Sequence, residues 1–264
     1  MEFGEDLTKN QEKNSGGRTF KFNETLVFKD VSLSYAPERA ALAGIPLEIR
    51  RGESIGIVGP SGSGKTSLAD LMMRLFEPTA GSIQLDGVPS GEYDILQWRT
   101  RVGYVPQDSF LLNDTIEENI RFYRKDLRKE ELEEAARRAG ILDFIETLPD
   151  KFQTITGERG VNLSGGQRQR ITLARVLTRE PAILILDEAT SSLDRESEAV
   201  IQSAIRSLRG EITVVIIAHR LSTIRDVDRL LVVDQGRIVE EGRPEELLKN
   251  GASYFSRMHQ LGPT

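Results

Sequence analysis

Eight consecutive residues, Gly59, Pro60, Ser61, Gly62, Ser63, Gly64, Lys65 and Thr66, have the spacing G-x-x-x-x-G-K-T of a loop that cradles phosphate. Glycines let the backbone curl until successive N–H groups point inward at phosphate oxygens. A helix starting at such a loop adds the favourable end of its dipole. Lys65 is placed to reach the β- and γ-phosphates of a nucleotide and Thr66 to offer its hydroxyl to Mg²⁺, with Ser67 next to them in the cofactor-binding set. A second half-site lies downstream, where the apolar run Ile183, Leu184, Ile185, Leu186 ends in Asp187 and Glu188. In phosphoryl transfer one carboxylate holds the metal while a neighbouring group positions or deprotonates the attacking water. Adjacent residues at a strand end point in different directions. Asp187 is therefore expected at the metal and Glu188 as general base.

The elements needed to hold these groups are visible in the apolar pattern. Val31, Leu33 and Tyr35 alternate with Ser32 and Ser34, Leu47 and Ile49 repeat the alternation, and residues 54–58 form a short apolar run before the first glycine. Residues 25–58 are thus predicted to be mostly strand. Leu68, Leu71, Met72 and Leu75 give the buried stripe of a helix after the loop. Residues 128–140 read as a charged helix with Glu133–Arg137 and Glu134–Arg138 at i, i+4. Further apolar strands are predicted at 182–186, 212–218 and 230–233, separated by helices near 195–208 and 221–227. A hairpin near Gln235 and Gly236 and a short helix close the chain. Strands alternating with helices imply a mainly parallel sheet covered on both faces. Residues 1–24 are polar and aperiodic, the pattern of a linker or tail.

Composition sets outer limits. Of 264 residues, 38% are hydrophobic and 29% charged, a globular balance, and no apolar run approaches the roughly 18 residues that cross a bilayer. Cysteine is absent, which excludes disulfides and thiolate chemistry. A net charge of −6 argues against nucleic acid as partner.

Leu163, Ser164, Gly165, Gly166 and Gln167 raise a different question. The Ser164 hydroxyl and the Gly165 and Gly166 amides at a helix start make a second anion site, yet one nucleotide needs only one phosphate loop. With this LSGGQ, the chain resembles the nucleotide-binding domain of ABC transporters from about residue 25 to 258. The resemblance implies a P-loop NTPase (RecA-like) α/β fold. A mainly parallel core sheet would carry an N-terminal antiparallel β subdomain and an α-helical subdomain at about 108–178. It also implies that two domains pair head to tail, the LSGGQ of each closing on ATP held by the other. Ser164, Gly165, Gly166 and Gln167 then bind nucleotide in trans. Tyr35 matches the aromatic that stacks on adenine. Gln107 matches the glutamine that touches Mg²⁺ and the water and links the site to the membrane domain. Asp194, in Ser192-Leu193-Asp194, matches the loop that crosses the dimer interface, and His219 the histidine that contacts the γ-phosphate. Every motif is intact, so two copies make two competent sites and a homodimer is favoured.

The loop Thr156-Gly157-Glu158-Arg159-Gly160, the stretch 111–120 and residues 219–224 resemble the exporter branch. That implies an ATPase coupled to its own transmembrane domain at the cytoplasmic face of a plasma, inner or organelle membrane, with no insertion by this chain itself. An excised C-terminal domain is the expected origin, a chain encoded apart from its membrane partner the alternative. ABC-type chromosome or repair ATPases carry long heptad arms, whereas only about a hundred residues separate Lys65 from Ser164 and no heptad is sustained. An ABC-type translation factor would hold two cassettes in one chain. A P-loop small-molecule kinase has no use for LSGGQ.

Overall fold

The computed structural model describes residues 16–36, 39–189, 193–218 and 220–260. In chain order the strands are β1 (Thr25–Ala36), β2 (Arg39–Arg50), β3 (Ser54–Val58), β4 (Ala80–Leu85), β5 (Val88–Pro89), β6 (Val102–Val105), β7 (Ile183–Asp187), β8 (Thr213–Ile217), β9 (Arg229–Asp234) and β10 (Arg237–Gly242). They form a four-stranded sheet, order β2-β1-β4-β5, and a six-stranded sheet, order β10-β9-β3-β8-β7-β6. The first is antiparallel throughout. The second is parallel except for the β9–β10 hairpin at its edge.

The apolar runs are continuous because the central sheet is buried on both faces. Side chains alternate across a strand, so neighbours in sequence enter different cores. Ile55, Ile57, Ile183, Ile185, Val215, Ile217, Leu231 and Val233 join the core shared with the antiparallel sheet and the helix Lys65–Met72. Leu184, Leu186, Val214, Ile216, Leu230 and Val232 face the other core, built mainly from helices. Between β6 and β7 the chain leaves the sheet for the helices Ile116–Arg121, Lys129–Arg138, Leu142–Thr147 and Gly165–Leu177.

Several expectations need correction. The helix after the phosphate loop stops at Met72, not past Leu75. Arg74 takes φ 53°, and its buried guanidinium donates to Tyr93 O (3.1 Å) and lies 5.4 Å from the Trp98 ring. Leu75 therefore falls outside the stripe and is exposed. In the charged helix Lys129–Arg138, Arg137 pairs with Glu134 and Arg138 with Glu211, not at the i, i+4 spacings read from the sequence. Leu132, Ala135 and Ala136 bury its inner face. Within the segment expected to be a linker, Phe20 and Phe22 are buried, and Phe20 meets Trp98 edge-on with centroids 5.2 Å apart. The chain closes with two short helices, Pro244–Lys249 and Tyr254–Gln260, where one was expected. Among the described residues no helix is long and apolar enough to cross a membrane.

Candidate functional site

Parallel strands bring their carboxyl ends to one edge, and open α/β sheets place their ligands there. β3, β8 and β7 are consecutive in the sheet, with Ile57 paired to Ile217 and Ile217 to Asp187. Asp187 therefore lies level with Ile57 and two strands away, about 10 Å by strand spacing. The phosphate loop leaves β3 just beyond Ile57.

Its shape depends on absent side chains. A Cβ on Gly59 would sit 1.9 Å from Val233 O, and one on Gly64, at φ 110°, would sit 2.7 Å from Ala41 O. The loop is thus pressed against β2 and the β9–β10 turn. Gly236 N donates to Ser63 O (2.9 Å), and Gly236 O accepts from Ala43 N (2.9 Å). Gly236 is a support that the sequence reading missed; its visible signal was only a turn glycine. Ser63 Oγ is buried with no hydrogen-bond partner among the described residues. Lys65 Nζ donates to Gly59 O and Pro60 O, both at 2.9 Å, from a buried position at the head of its helix. Burial pulls the ammonium below the usual lysine range, opposed by the carboxylates of Glu188 and Asp187. Ser61 and Gly62 are exposed at the loop tip and Thr66 in the first helical turn.

Asp187 is buried, which raises its carboxyl pKa. A hydrogen bond donated by Tyr104 OH (2.9 Å) opposes the rise, Glu188 adds to it, and Lys65 counters it. Tyr104, on neighbouring β6, was not foreseen. The same burial and charge push its phenol upward, so it stays a donor to Asp187. Glu188 has φ 48° and donates its backbone N–H to Ile217 O (2.8 Å). A left-handed glutamate is uncommon, and here it turns the chain immediately after Asp187. Lys65, Asp187 and Glu188 thus form one electrostatic group at the sheet edge.

Tyr35 lies on the rim. The residue is 46% exposed, and its ring meets Phe76 edge-on with centroids 4.9 Å apart. Its hydroxyl donates to Asp70 Oδ2 (2.9 Å) and lies 3.1 Å from Ser67 Oγ, so Ser67 braces the tyrosine. Gln107 is exposed in the turn after β6. His219 and Ser192 lie outside the described residues.

The LSGGQ residues stand apart. Among the described residues no hydrogen bond or ion pair joins residues 164–167 to residues 59–67. Ser164 caps the helix Gly165–Leu177, accepting from Gln167 N (3.2 Å) while Ser164 N donates to Gln167 Oε1 (2.8 Å). The Gln167 side chain is folded onto its own helix start. Ser164 is exposed and Gly165 half-buried, whereas a Cβ on Gly166 would sit 2.4 Å from Ser197 Cβ. Asp194 caps the helix Arg195–Ser207 through Ser197 N (3.0 Å), a bond that lowers its carboxyl pKa. Gly166→Ala is expected to destabilise the fold by about 1–3 kcal/mol through this overpacking. A fall in the thermal unfolding midpoint checks it.

The profile of the ABC transporter family matches residues 42–191. The chain belongs to the ABC transporter family. It is 48% identical over 237 residues to the ATP-dependent lipid A-core flippase of Chromobacterium violaceum, covering 89% of this chain and 40% of that protein. Identity to the heterocyst differentiation ATP-binding protein HepA of Nostoc sp. is 46% over 237 residues, with 89% and 39% covered. A solved bacterial Atm1-family ABC exporter with ATP bound matches 98% of the chain and 46% of its own, with TM-score 0.88 and 38% identity. The chain spans about two fifths of the length of these curated relatives. In ABC transporter terms it is the ATP-binding cassette, an ATPase domain with the P-loop NTPase fold.

Proposed function

We propose that this chain is the power module of an ABC exporter, hydrolysing Mg²⁺-ATP in sites completed by a second copy. The observation that carries the reading is the separation of two phosphate-binding features. Lys65, Asp187 and Glu188 converge at one sheet edge, while the LSGGQ helix start is presented outward with no partner in its own phosphate loop. Head-to-tail pairing gives each exposed Ser164 a triphosphate to meet.

The chemistry of the site fits both groups. The cradle admits no Cβ at Gly59 or Gly64, Ser63 Oγ is buried without a partner, and Lys65 supplies the cation. Among the described residues no three carboxylate or histidine side chains converge into a metal cage. Mg²⁺ ordinarily takes one or two protein oxygens and completes its shell with phosphates and water. Thr66 and Asp187 would supply those oxygens, with Gln107 reaching the metal from its turn. Bound Mg²⁺ would neutralise charge developing on the phosphate oxygens. Glu188 acts as the base that takes a proton from the attacking water, Lys65 stabilises the terminal phosphate, and Tyr35 stacks on adenine. His219 contacts the γ-phosphate from the residue after Ala218.

Equal affinity of ATP for open and closed pairs would shift nothing, so the cycle draws on tighter binding by the closed pair. The exporter's own transmembrane domain, on the cytoplasmic side of its membrane, converts closing and opening into transport. The two curated relatives carry different named roles on cassettes of similar sequence. That supports nucleotide chemistry as this chain's contribution and leaves cargo recognition to the membrane domain.

Replacing Ser164 tests the composite site. Ser164→Ala is expected to leave ATP affinity of the single chain unchanged while lowering turnover by about tenfold to a hundredfold. Calorimetry and steady-state hydrolysis separate the two effects. Wild-type turnover in the variant would remove the second copy from the mechanism.

A further inference from the structure

Residues 106–110 leave the end of β6 and carry Gln107. Among the described residues this segment makes no backbone–backbone hydrogen bond outside the strand ladders. Side chains of a single helix, Gly165–Leu177, hold it instead. Gln169 is buried at 4% exposure. It donates from Nε2 to Pro106 O (3.0 Å) and accepts at Oε1 from Ser109 Oγ. Chemistry decides that orientation: Pro106 O can only accept, so the amide nitrogen must face it and the amide oxygen is left for the hydroxyl. Farther along the same helix, Arg175 Nη1 donates to Phe110 O (2.9 Å) and Nε to Asn119 O (2.7 Å), with its guanidinium 4.4 Å from the Phe122 ring. Both ends of the segment are therefore referenced to the helix that begins at Ser164. Lys65, Asp187 and Glu188 are referenced to strand ends.

We propose that Gln169 is a positioning residue, whose carboxamide locks the Gln107 turn to the LSGGQ helix so that both are set by one rigid element. This rests on the reading that Gln107 meets the nucleotide. A shift of the LSGGQ helix toward a partner's nucleotide then carries Gln107 with it, so closure across the pair and placement of the glutamine at its own site are one movement. Ser164 and Gln167 already complete the helix cap, so Gln169 has no part in presenting the LSGGQ amides. Its buried amide is spent on the loop.

The test is steady-state ATP hydrolysis with Gln169→Met, which keeps the length of the side chain and removes both hydrogen bonds, in the wild-type and Gln107→Ala backgrounds. In the wild-type background kcat is expected to fall about tenfold with KM for ATP held within about twofold, the signature of misplaced groups rather than lost binding. Gln107→Ala is slow by itself, and adding Gln169→Met is expected to slow it no further, because the two act through one another. Ser109→Ala, which removes one of the two bonds from the loop side, gives a smaller loss of the same kind. Wild-type turnover in Gln169→Met overturns the proposal. So does an equal loss in both backgrounds, which would mark a packing defect. A Gln107→Ala chain running at full rate, measured with Gln169 intact, would instead sink the placement of Gln107 at the nucleotide on which the proposal stands.

Discussion

Glu188→Gln is expected to lower kcat by about a thousandfold while leaving ATP affinity within about threefold of the wild type. The swap is nearly isosteric and removes only the ability to accept a proton. In barrier terms the loss is about 4 kcal/mol. The backbone explains why this residue is singled out: Glu188 is held at φ 48° by its N–H bond to Ile217 O, directly after Asp187. A left-handed glutamate persists only where the surroundings fix it, and here it turns the chain directly after Asp187. Stalling before hydrolysis should accumulate the closed pair, so gel filtration with Mg²⁺-ATP is expected to show a dimer. A variant that stays monomeric and hydrolyses ATP normally would strip Glu188 of this role.

Lys65→Ala is expected to weaken ATP binding by about a hundredfold, near 3 kcal/mol, as a buried charge-assisted contact to phosphate is lost. Two features single out Lys65. Its ammonium is buried between Gly59 O and Pro60 O, and the carboxylates of Asp187 and Glu188 favour its charged form against the pull of burial. Lys65→Met keeps most of the stem, so an equal loss in that variant assigns the effect to charge. Calorimetric titration with ATP is the readout. Unchanged affinity in both variants would contradict the phosphate contact.

The most legible parts of the sequence were those where chemistry restricts residue type over a short span. Glycines at 59 and 64 and the lysine after them announce the loop because no side chain fits there. The apolar runs announce the central strands because both faces are covered. What escaped reading depends on groups far apart in sequence. The end of the first helix is fixed by Arg74 reaching Tyr93 O and Trp98, and Leu75 is exposed in consequence. Phe20 and Phe22 sit in a polar stretch without period, and only tertiary packing makes them core, Phe20 against Trp98. Gly236 and Tyr104 support the phosphate loop and Asp187 from other strands, with no local motif to mark them. Gln167 shows the converse: a motif residue whose side chain serves its own helix start.

The absence of cysteine allows the proposed head-to-tail seam to be tested directly. Ser61 and Ser164 are both exposed, one at the tip of the phosphate loop and one at the LSGGQ cap. Chains carrying Ser61→Cys and chains carrying Ser164→Cys, each also with Glu188→Gln, would be mixed with Mg²⁺-ATP and oxidised. The account predicts a cross-linked species of twice the chain mass in the mixture, dependent on ATP, and little or none in either variant alone. Cross-linking of each variant to itself, or none in the mixture under conditions where ATP is bound, would contradict a site shared between opposed copies.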